Sequence, residues 1–110
     1  MKEALEKGAD VNAVDNNDTT ALMGVSSKGH LDVARLLIEA SADVNAMDKD
    51  GATALMFASS QGHLDVVRLL IEMGDDVNAK NNNGITAIKA AFMNKHLDIV
   101  SLLKSAGAID

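Results

Sequence analysis

Three histidines, His30, His63 and His96, are spaced evenly at 33 residues, and imidazole nitrogens are ready ligands for a transition metal. A shared zinc ion would need three ring nitrogens about 2.0–2.1 Å from one point. Equal, long spacing argues against that: if each histidine starts its own helix, and packed helices lie about 8–10 Å apart, the rings cannot converge. They read instead as structural, each imidazole bonding nearby backbone. Asp48-x-Asp50-Gly51 offers a fragment of a calcium loop. Such a loop needs a third oxygen ligand before its glycine and a glutamate at the twelfth position, where Ser59 stands. The segment reads as a solvated turn. Ser26-Ser27 and Ser59-Ser60 supply hydroxyls, but a nucleophile needs a base and an orienting group within reach, and no such set is apparent. With no cysteine, thiolate chemistry and cysteine zinc clusters are excluded. No metal, cofactor or catalytic role is expected, and a hydrolase is the least favoured reading.

The elements that carry these residues repeat. Gly29-His30-Leu31-Asp32-Val33 returns as Gly62-His63-Leu64-Asp65-Val66 and, weakened, as Lys95-His96-Leu97-Asp98-Ile99. Asp10-Val11-Asn12-Ala13 returns at Asp43 and Asp76, and Thr20-Ala21-Leu22 at Thr53 and Thr86. A fixed period of this size predicts a stacked solenoid rather than a fold around one central core. The faithful Asn12, Asn45 and Asn78 are expected to hold the loops between units by side-chain hydrogen bonds.

One unit shows why it cannot stand alone. Asp48-Lys49-Asp50-Gly51 is a turn signal, and Thr53 stands where a helix N-cap belongs. Ala54 to Gln61 reads as a short helix ended by Gly62. A second helix follows from about Leu64 to Met73, closed by Gly74. Its polar residues Asp65, Arg68 and Glu72 fall on one stripe, and Val66, Val67, Leu69, Leu70, Ile71 and Met73 occupy the rest. A helix apolar on three sides must be covered on three sides, by its partner helix and by the adjoining units.

The order turn-Gly-x-Thr-x-Leu, Gly-His-Leu-Asp-Val-Val, Gly-x-Asp-Val-Asn-Ala resembles the ankyrin repeat over nearly the whole chain, Lys2 to Ile109. The resemblance implies an all-α solenoid of stacked antiparallel helix pairs with projecting β-turn loops, and a role in protein–protein recognition. The units are placed at 1–15 (an N-terminal half-repeat), 16–48, 49–81 and 82–110 (a C-terminal cap), together one domain. Ser26 and Ser59 fall where the family has a small buried alanine. The family's Thr-Pro-Leu-His is here Thr20-Ala21-Leu22-Met23, Thr53-Ala54-Leu55-Met56 and Thr86-Ala87-Ile88-Lys89. The proline preset of the first helical position is missing, and methionine is expected to fill the histidine's place. Ser41 stands where Gly8, Gly74 and Gly107 stand, at a cost of about 1 kcal/mol if it is left-handed. Gly24 stands where Phe57 and Ala90 stand, so Phe57 is expected to pack into the room beside Gly24.

The ends differ from the middle. Lys89 replaces Met23 and Met56, and Lys104 replaces Ile38 and Ile71, as suits a face that no further unit covers. Lys2 to Lys7 supply only the end of a second helix. They read as a lid with Lys2, Glu3, Glu6 and Lys7 facing water; the alternative is a truncated array whose open stack pairs with another copy. A monomer is favoured over a dimer.

Ten basic against sixteen acidic residues give a net charge of −6, which opposes nucleic-acid binding, where cations must meet phosphates. The charged N-terminus lacks a signal-peptide pattern, and no apolar run nears the roughly 20 residues that span a bilayer. Together with the absence of cysteine this points to the cytoplasm and away from membranes.

The resemblance implies binding through turn tips and the exposed side of the first helices. On this chain those positions are Val14, Asn16, Asn17, Thr19, Ser27 and Lys28; then Met47, Lys49, Asp50, Ala52, Ser60 and Gln61; then Lys80, Asn82, Asn83, Ile85, Met93 and Asn94. They vary between units while core and turn positions repeat. The set holds no Trp, Tyr or Arg, the residues that dominate binding hot spots, so Met47, Ile85 and Met93 are its candidate anchors. The reading is a non-catalytic module for a protein partner. The alternative is an engineered or excised scaffold without a natural partner, against which the irregular Gly24, Ser41 and Asp75 speak.

Overall fold

The computed structural model describes residues 10–109; the expected lid of Lys2 to Lys7 lies outside them. The chain runs α1 (Ala21–Lys28), α2 (Leu31–Glu39), α3 (Ala54–Gln61), α4 (Leu64–Glu72), α5 (Ala87–Met93) and α6 (Leu97–Ser105). No strand occurs among the described residues beyond a single bridge between Val14 and Thr20. The helices pair as α1–α2, α3–α4 and α5–α6, and the pairs stack, α1 on α3 on α5 and α2 on α4 on α6, into a body of 42 × 25 × 20 Å. The first helices press together more extensively than the second ones do.

Each first helix begins at a threonine in extended backbone. Its Oγ1 accepts a hydrogen bond from the N–H three residues on, at 3.2 Å for Thr20–Met23 and 3.3 Å for both Thr53–Met56 and Thr86–Lys89. This satisfies one of the amides that a helix start leaves open. In the first unit the Met23 sulfur also accepts from the Thr20 N–H at 3.4 Å, so methionine fills the space and closes a reciprocal cap.

Each second helix ends in a left-handed residue: Ser41 at φ 75°, Gly74 at 90° and Gly107 at 97°. Ser41 adopts the geometry despite its Cβ because the turn is closed by two bonds, Ser41 N–H to Ile38 O and Ala42 N–H to Leu37 O, both 2.9 Å.

The core runs the length of the stack. Leu22 and Leu55 from the first helices, and Leu37, Leu70 and Leu103 from the second, are at most 1% exposed, and Val66 and Val67 are fully covered. Each such side chain contributes about 1.5–3 kcal/mol, which no unit collects by itself. Asp65, Arg68 and Glu72 face water, whereas Met73 lies just past α4 and is exposed rather than covered. The room beside Gly24 stays open. Apart from its own chain neighbours, no side chain, Phe57 included, comes within 4 Å of where a Cβ on Gly24 would stand. Equivalent positions on stacked parallel helices point the same way, so Phe57 projects alongside Gly24 and packs on the core instead.

Candidate functional site

The turn tips are built by one device used three times. Asp15 Oδ1 accepts from the N–H groups of Asn17 (2.8 Å) and Thr19 (3.0 Å). Asp48 Oδ1 accepts from Asp50 and Ala52, both 2.9 Å, and Asn81 Oδ1 from Asn83 and Ile85, both 2.9 Å. The side chain imitates a backbone turn and fixes the tip. At Asp15 the bonds from Thr19 and Asn17 also hold the carboxyl below its usual range. The tips are then tied to one another. The Lys49 N–H donates to Asn17 O at 3.0 Å, the Asn82 N–H to Asp50 O at 2.8 Å, and Asn82 Nδ2 to Lys49 O at 3.2 Å. Asn94 Nδ2 likewise reaches Ser60 Oγ at 3.2 Å.

The proposed surface residues therefore divide. Val14, Asn16, Asn17, Lys28, Met47, Lys49, Asp50, Gln61, Lys80, Asn82, Asn83, Met93 and Asn94 are exposed. Thr19, Ser27, Ala52, Ser60 and Ile85 are half-buried. Among the apolar candidates, Met47 is 58% and Met93 67% exposed. Phe92 at 67% and Leu97 at 61% are equally open and were not in the expected set. Phe92 occupies a position that is serine in the other units, a break in the repeat that could have drawn attention to it.

The histidines stay apart. His63 Nε2 lies 2.9 Å from Ser27 O and His96 Nε2 3.1 Å from Ser60 O, so each ring bonds backbone, that of the preceding unit rather than its own. Among the described residues no group of three or more His, Asp or Glu side chains is arranged to hold a metal ion. The Ser26 and Ser59 hydroxyls are wholly buried without a hydrogen-bond partner, which places them as small packing groups. The asparagines do span the stack. Asn12 Oδ1 accepts from Asp43 N–H (2.7 Å), Asn45 Oδ1 from Asp76 N–H (2.8 Å) and Asn78 Oδ1 from Ile109 N–H (2.8 Å). Each Nδ2 reaches the left-handed residue of the next loop: Ser41 O at 3.4 Å, Gly74 O at 3.5 Å and Gly107 O at 3.3 Å.

A family model for ankyrin repeats in three copies matches residues 1–81 and 41–110, overlapping to span the whole chain. The chain belongs to the ankyrin-repeat family. No curated protein matches it. Ankyrin repeats are in general protein–protein interaction modules. In this ankyrin stack every side-chain bond just described, histidine, asparagine or tip, serves to lock one unit to the next or to shape a turn. No helix of the described residues is long and apolar enough to cross a membrane.

Proposed function

We propose that the chain is a non-catalytic module that presents its turn tips and first-helix faces to a protein partner. The observation that carries this reading is the bonded row of tips, Asn17 to Lys49 and Asp50 to Asn82. It holds side chains that differ from unit to unit on a backbone already ordered before binding. Preorganisation of this kind lowers the ordering cost of association. The surface is polar, so its affinity depends on the few apolar anchors, Met47, Ile85 and Met93. The module works as a monomer in the cytoplasm, with neither nucleic acid nor cofactor.

The test is site-specific photo-crosslinking in the native host's lysate, with the probe at Lys49 on the tips or at Glu72 on the opposite stripe. A single protein captured from Lys49 and not from Glu72 is expected, and joint substitution of Asn16, Lys49 and Asn83 by alanine should abolish capture without lowering Tm. Identical capture patterns from both probe positions would refute the surface assignment. A clean absence of capture from both would favour a scaffold without a natural partner.

A further inference from the structure

Helices α5 and α6 form the last layer of the stack. Their outer face carries a groove of about 590 Å³, floored by Ile88 and Val100 and walled by Phe92, Met93 and Leu97. The three wall residues are 67%, 67% and 61% exposed. In the earlier layers the place of Phe92 is taken by Ser26 and Ser59, both fully buried where one first helix lies against the next. A phenyl ring there fills the space in which a following first helix would sit.

Two observations narrow what the groove receives. The groove is largely apolar and lies between the two helices, the kind of surface that receives the apolar face of an amphipathic helix. Its charged lining residues are Lys89 and Lys104, with no acidic residue, on a chain of net charge −6. A second copy pairing two-fold would bring together two faces that each carry lysines and no acidic residue, between two molecules that repel overall. We propose that this end groove docks an amphipathic helix of another protein, its apolar stripe on Phe92, Met93 and Leu97 and its acidic flank beside Lys89. The stripe is short: residues i, i+3 or i+4, and i+7 span about 10 Å. Met93 borders both this groove and the turn-tip surface; Phe92 and Leu97 belong to the groove alone, so the two sites can be separated by substitution.

The probe is a fluorescein-labelled, lactam-stapled helix of about 16 residues, with leucines at that spacing and glutamates on both flanks. Its companion carries lysines for the glutamates. Binding is followed by anisotropy at about 0.15 M salt, where screening confines electrostatics to about 8 Å. Long-range attraction to an acidic chain favours the lysine peptide, so a preference for the glutamate peptide has to come from the groove. The expected result is at least threefold tighter binding of the glutamate peptide, lost or reversed in Lys89→Glu. Phe92→Ser, which restores the residue of the other units, should weaken binding about tenfold at unchanged Tm, and Leu97→Gln should act alike. Equal binding of both peptides, or saturation by neither at about 1 mM, would overturn the proposal. So would light scattering that shows a dimer which Phe92→Ser converts to monomer, since a second copy would then be the occupant.

Discussion

The ring of His63 lies over Gly29 of the preceding unit, so closely that a Cβ on Gly29 would stand 2.5 Å from His63 Nδ1. The same pair recurs one unit on, where a Cβ on Gly62 would stand 2.7 Å from His96 Cε1. Gly29 and Gly62 thus have two reasons to be glycine, a positive φ (75° and 82°) and a ring overhead. At the third equivalent, Lys95, φ is still 63° and the residue carries a side chain. The repeated Gly-His is therefore a junction between units rather than a feature of one.

Gly29→Ala should accordingly cost more than Gly74→Ala. Both pay about 1 kcal/mol for the left-handed backbone. Gly74 has open space where a Cβ would go, while Gly29→Ala also has to displace His63 from its bond to Ser27 O, adding about 1 kcal/mol. Urea titration followed by helical circular dichroism measures both. Combining Gly29→Ala with His63→Ala should cost less than the sum of the two. Equal costs for Gly29→Ala and Gly74→Ala would mean the ring moves aside freely.

Asp75 should make the stack less stable as pH rises. It is 8% exposed, stands where Ala42 and Ala108 stand, and neither carboxylate oxygen has a hydrogen-bond partner; the adjacent Asp76 N–H is taken by Asn45. Burial, reinforced by the nearby Asp76 and Asp43 charges, pushes its pKa up to about 7. An unfolded aspartate titrates near 3.9, so between about pH 4 and 7 the folded chain holds a proton that the unfolded chain releases. The contribution of this group therefore falls across that window and is flat above it. Asp75→Ala should be more stable than the parent by about 2–4 kcal/mol at pH 8, with the gap narrowing toward pH 4. A gap that does not change with pH would contradict this.

Asn45→Ala should lower stability by about 1–2 kcal/mol, because it leaves the Asp76 N–H and the Gly74 carbonyl without their partner across the junction. Asn83→Ala, on an exposed turn tip, should change it by less than about 0.5 kcal/mol. Comparable losses would show that the asparagine bonds carry no more than a surface contact.

Two serines mark places where the repeat departs from its optimum. Ser41→Gly should relieve the positive φ and raise stability by about 0.5–1 kcal/mol, net of the greater freedom glycine has when unfolded. Ser59→Ala removes a fully buried hydroxyl without a partner and should be neutral to stabilising. A loss of Tm in Ser59→Ala would reveal a bond that this hydroxyl does make.

The repeat alone was enough to place the threonine caps, the two helices of each unit and the leucine and valine core. All of these are local: a helix start needs its cap and an apolar face its cover, whichever neighbour provides it. The partners across unit boundaries were not legible. That His63 bonds Ser27, that Asn45 reaches Gly74 and Asp76, that Lys49 joins Asn17, and that Phe57 leaves the room at Gly24 empty all depend on the offset between layers, which the period does not state. The burial of Asp75 and the exposure of Phe92 belong to the same class. A sequence lists what each layer holds, but only stacking decides which side chain meets a carbonyl, which meets another apolar group and which is left facing water.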